Sequence, residues 1–166
     1  MWSKRNQDRH LWALLSQIDC APEPTSDLVA DVLYYACPRL QASLTPNDLV
    51  VRLIEAEAWI ELALWLIGWE LPDMDVHQLS RGDHAWNCSI GVRGLARNWL
   101  DDVADFQHQS LALAILGALV EAQLQKVEGQ APSNVTAFRR RERAVPQLGP
   151  AAAWYAGLLG LAPGRS

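Results

Sequence analysis

No stretch of this sequence stays apolar long enough to cross a bilayer. The longest runs, "LALAILGALV" (111–120) and "AAAWYAGLLGLAP" (151–163), fall short of the roughly 20 residues that a spanning helix needs. A secretory leader is not expected: "MWSKRNQDRHLWALLSQIDC" starts basic, but polar residues continue to Arg9 and His10, and no apolar core with a small-residue cleavage site follows. Cysteine is scarce. The three present (Cys20, Cys37, Cys88) show no metal-type CxxC spacing, which predicts free, buried thiols in a reducing cytoplasm. Phenylalanine is nearly missing, two residues against eight tryptophans, and with so many indoles some are expected at a contact with a partner.

What remains is ordinary for a globular chain: 166 residues, half of them hydrophobic and 20% charged, enough for one domain with a real core. The charge is divided unevenly. Residues 1–132 hold nine Lys and Arg against eighteen Asp and Glu, a balance of −9, while residues 133–166 hold five Arg and one Glu, a balance of +4. An acidic body argues against a broad nucleic-acid surface, which needs Lys and Arg clustered on one face.

Three segments follow from composition. Residues 1–44 read as an N-terminal helical pair. "DRHLWALLSQI" sets Leu11, Leu14, Leu15 and Ile18 at helical spacing. Thr25 or Ser26 can cap the next helix, and Pro38 ends or bends it. Residues 45–128 read as helix, hairpin, helix. Thr45 and Pro46 signal the start of one long helix reaching Gly68, with Leu49, Leu53, Ala56, Ile60, Ala63 and Ile67 as its stripe. The period then changes to two: Trp86, Cys88, Ile90 and Val92 alternate with Asn87, Ser89, Gly91 and Arg93, as in a half-buried strand. "DVHQLS" (75–80) is its partner strand, "RGDH" the turn, and "SLALAILGALVEAQLQK" a central apolar helix. Residues 129–166 read as an Arg-containing linker and a short C-terminal helix over 150–163. The expected fold class is therefore α+β and mostly helical, a short antiparallel β-hairpin packed against two long apolar helices.

On "DLVVRLIEAEAWIELALWLIG", "AWNCSIGV" and "SLALAILGALVEAQ", the segment from about 45 to 127 resembles the phage ABA sandwich domain, in which a hairpin or small sheet lies between two helices. That resemblance implies an α+β fold and a mobile-element origin, and it assigns no functional residues.

Four groups of residues could carry chemistry. His77, His84, Cys88 and His108 offer the nitrogen and sulfur donors that zinc accepts, but strand alternation puts Cys88 on the buried side with Trp86 and Ile90. The same burial removes the electropositive setting that a Cys88 nucleophile would need. Glu57 and Glu61, with Asp102 and Asp105, could hold Mg²⁺ against nucleotide phosphates, a pattern that resembles the all-α nucleotide pyrophosphohydrolases. A solvated acidic face is the plainer account of them. In "FRRRER", Arg139, Arg140, Arg141 and Arg143 could bind an acidic surface or give weak, salt-sensitive contact with nucleic acid.

Trp59 and Trp65, six residues apart on one helix with Trp69 beyond, cannot easily be buried on a single face. The reading that follows is a non-enzymatic phage- or prophage-derived accessory protein. It needs no cofactor or metal and binds a protein partner, a host or defence protein or a second copy of itself, through Trp59, Trp65, Trp69 and the Arg run. The alternatives are the carboxylate-based hydrolase and an assembly protein of a phage-like particle.

Overall fold

A computed structural model describes residues 4–43, 47–94 and 102–128. Its elements in chain order are α1 (Lys4–Cys20), α2 (Ser26–Tyr35), α3 (Pro38–Ala42), α4 (Asp48–Glu55), α5 (Trp59–Glu70), β1 (Met74–Arg81), β2 (Trp86–Val92), β3 (Asp102–His108) and α6 (Leu111–Glu128). The class is α+β and mostly helical, as expected. No helix among the described residues is long and apolar enough to cross a membrane.

The N-terminal pair is three helices. Thr25 caps α2, its hydroxyl oxygen accepting from the Leu28 amide at 3.3 Å. Pro38, at the first position of α3, separates that helix from α2 and lets the chain restart after a two-residue corner. Leu11, Leu14, Leu15 and Ile18 of α1 are buried in the same apolar cluster as Leu113, Leu116 and Leu119 of α6. The composition change near residue 44 is thus no boundary between cores.

The single long helix expected from Thr45 to Gly68 is two helices. Asn47 is the N-cap of the first, its side chain accepting from the Leu49 amide at 3.0 Å; Thr45 and Pro46 lie outside the described residues. The break falls at Glu57, whose φ of 51° is left-handed. The Glu57 amide donates to the Ile54 carbonyl at 3.0 Å and the Ala58 amide to the Leu53 carbonyl at 2.9 Å, the paired bonds of a Schellman ending. Glycine usually occupies that position, so a glutamate there gave no stop signal. The break resets the helical phase. Val50 and Ile54 are buried in α4 and Leu62, Ala63, Leu66 and Ile67 in α5, whereas Leu49 and Ile60, expected in the stripe, are exposed.

The hairpin has a third strand. β1–β2–β3 is an antiparallel sheet with Leu79 opposite Cys88 and Cys88 opposite Phe106. In "DVADFQH" the inward positions are Ala104, Phe106 and His108, a small residue and a histidine where a strand pattern shows large apolar side chains. α6 is buried nearly all round, packed by α1, α5, β2 and β3. Its Gly117 lets it approach the sheet: a Cβ there would collide with the Phe106 ring.

Candidate functional site

The residues of "SRGDHAWNCSIGVRG" go to different places. His84 is exposed in the turn between β1 and β2. His77 occupies a bulge in β1, its ring over Gly91 and its Nε2 3.2 Å from the Val92 carbonyl oxygen. Cys88 is fully buried on the core face, and burial, with the Asp105 carboxylate adding to it, pushes its thiol up to about 12. Such a thiol is neither nucleophile nor ready metal ligand. His108, buried at the end of β3, uses Nδ1 to accept the Ser110 amide at 2.9 Å, just ahead of α6. Among the described residues no three His, Cys, Asp or Glu side chains converge as a metal set.

Three of the four carboxylates fall into two different clefts. Glu57 and Glu61 line one cleft of about 540 Å³ together with Glu23, Trp59, Ile60 and the first turn of α6. Asp105 lines another, of about 320 Å³, with Trp12, Asp19 and Glu121. Asp102 opens β3 opposite Gly91. The proposed Mg²⁺ quartet is therefore not brought together by Glu57, Glu61 and Asp105. The helix break explains part of this, since Glu57 sits in the left-handed corner and not one helical turn before Glu61.

One buried carboxylate has a structural task. Glu70, at the end of α5, accepts the Arg39 amide at 3.0 Å and the Leu40 amide at 2.7 Å, capping α3, whose own N-cap residue Cys37 makes no side-chain cap. Gln123 of α6 donates to the Ala36 carbonyl at 2.9 Å, holding the same corner. Burial raises the Glu70 carboxyl above its ordinary value, and these two amide bonds, then Arg39 and Lys126, pull it back in part. Burial, with Glu70 nearby, pushes the Cys37 thiol up as well. Sequence reasoning missed this knot because Glu70 sits beside Trp69 with nothing local to mark it as buried.

Of the seven large apolar side chains exposed among the described residues, three are on α5 and the others, Trp12, Leu49, Leu79 and Val92, are on α1, α4, β1 and β2. Leu62, Ala63, Leu66 and Ile67 form the inner face of α5, Leu64 (41% exposed) lies on the outer one, and Ile60 (36%) and Trp69 (38%), half a turn apart around the axis, flank the buried face on either side. Trp65 and Trp69, one turn apart, are stacked with ring centroids 5.1 Å apart and planes at 15°. Of the three tryptophans expected to meet a partner, Trp69 is inside α5 and exposed, while Trp59 and Trp65 are half-buried against the core. Gly68 shares this outer face, and a Cβ built on it meets nothing within 4 Å. Arg139, Arg140, Arg141, Arg143 and the helix expected over 150–163 lie outside the described residues. Compared with family models, curated proteins and solved structures, the chain matches none of them.

Proposed function

We propose that this protein works by binding another macromolecule through the outer face of α5, as a phage- or prophage-derived accessory protein of the cytoplasm. The observation that carries the reading is one helix with Ile60, Leu64 and Trp69 exposed together, beside the stacked Trp65 and the bare Gly68. Single exposed apolar residues are ordinary, but three of them and a stacked indole on one twelve-residue helix offer a partner more than one anchor. A partner that covered the part of Leu64 or Ile60 still exposed would gain on the order of 0.5–1 kcal/mol from each. A stacked tryptophan pair supplies a large, rigid contact with little rotamer entropy to lose.

The proposed mobile-element origin rests on the resemblance, whose single helix before the sheet is two helices here, α4 and α5, followed by β1–β2–β3 and α6. Inhibition of a host or defence protein is the role that a small acidic chain suits, by charge complementarity with a basic site. The test is affinity capture from a bacterial host lysate with the full chain and with Leu64→Glu. A partner held by the first and lost with the second is the expected result. Equal capture by both, or no capture, would count against the reading.

A further inference from the structure

The outer face of α5 runs directly into a charged cleft. Ile60 belongs to both: it heads the ridge Ile60–Leu64–Gly68 and lines the 540 Å³ cleft with Trp59, Glu57, Glu61 and Glu23. Among the described residues, the lining of that cleft includes three glutamates and no lysine or arginine. Two helix N-termini, those of α5 and α6, also open there, but each amounts to about half a positive charge, so three carboxylates leave the cleft negative by roughly two charges. At the other end of α5 the balance differs, since Arg39 and Lys126 act on Glu70. The face is therefore apolar along its length and acidic at one end only.

Its shape is equally one-sided. Ile60, Leu64 and Gly68 are spaced by four, the ridge that packs against a second helix, and Gly68 leaves a notch in it. A glycine inside a helix costs about 0.5–1 kcal/mol relative to alanine. At Gly117 the close Phe106 ring requires it, whereas at Gly68 nothing among the described residues does.

Resting on the proposed binding role, we infer that the occupant of this face is an amphipathic helix of a partner protein, with Lys or Arg at one end. Its apolar ridge lies over Leu64, Gly68 and Trp69, and its basic end enters the cleft at Glu23, Glu57 and Glu61, where Trp59 offers an indole beside the cation. A second copy of the chain would bring residues 1–132, with a charge of −9, against an acidic site, and only its Arg run at 139–143 carries the opposite sign.

The test is selection from a display library of random peptides about 16 residues long, some four helical turns, on the full chain. Selection is repeated on Leu64→Glu, and the best peptide is synthesised and its affinity measured. The expected winners carry Lys or Arg at one end and apolar residues spaced by three and four. Their affinity falls about tenfold or more in Glu57→Lys, Glu61→Lys and weakens with added salt. Both glutamates are exposed, and unchanged circular dichroism of that variant shows that it is folded. Winners without basic residues, or indifferent to the charge reversal, would overturn the basic helix while leaving α5 as a binding face. Winners that hold Leu64→Glu equally well, or no winners, would overturn both. A chain that sediments as a dimer, dissociated by the peptide, would replace the partner helix with a second copy.

Discussion

At the scale of residues, Glu57, the three cysteines and Glu70 each carry a measurable consequence. Glu57 holds a backbone conformation that glycine adopts without strain, so Glu57→Gly should raise the unfolding free energy by about 1 kcal/mol, read by chemical denaturation. Cys88 and Cys37 are buried with raised thiols while Cys20 is exposed, so a thiol reagent should label Cys20 alone in the native protein and all three after denaturation. Rapid native labelling of Cys88 would contradict its place in the core. Glu70 carries a pH dependence. Its folded-state value is raised, so the native protein takes up this proton before the unfolded chain does. That share of stability is complete below the ordinary carboxylate value and is lost as pH rises through the folded-state value. Glu70→Gln stays neutral, so denaturation curves between about pH 4 and pH 7 should show the variant gaining relative to wild type as pH rises. The opposite slope would mean that the two amide donors outweigh burial.

At the scale of elements, legibility followed the strength of the local signal. β1 and β2 were visible because Trp86, Cys88 and Ile90 alternate in sequence with Asn87, Ser89 and Gly91, yet the expected faces hold only in part, since Ser89 and Gly91 are buried and Val92 is exposed. β3 was not visible, because Ala104 and His108 fill its inward positions. The stop after α4 was invisible because its left-handed residue is a glutamate. Missing it placed Leu49 and Ile60 inside, and so hid the apolar face that α5 turns outward. The position of Trp69 could have been read only with the phase of α5 in hand. The contact of α6 with the sheet is testable in the same terms. Gly117→Ala forces a methyl into the Phe106 ring and should destabilise by about 1–3 kcal/mol, and the loss should shrink in a Phe106→Leu background if that ring is the obstacle.

At the scale of the whole molecule, helices from residues 4–43 and from 47–128 close one core around α6. Unfolding followed by tryptophan fluorescence and by far-ultraviolet circular dichroism should therefore give coincident single transitions. With the core closed in this way, Ile60, Leu64 and Trp69 are left outside on one helix, and Gly68 among them weakens the free protein for no internal gain. Natural chains carry many such unoptimised positions, so a binding measurement is what assigns this one to a contact. The measurement that bears most directly on this account is capture of a partner by Gly68→Ala, with its thermal midpoint recorded alongside. The account predicts a midpoint higher by about 1–4 °C and loss of the partner held by the wild-type chain. A more stable variant that captures the partner undiminished would show that the outer face of α5 is not where binding occurs.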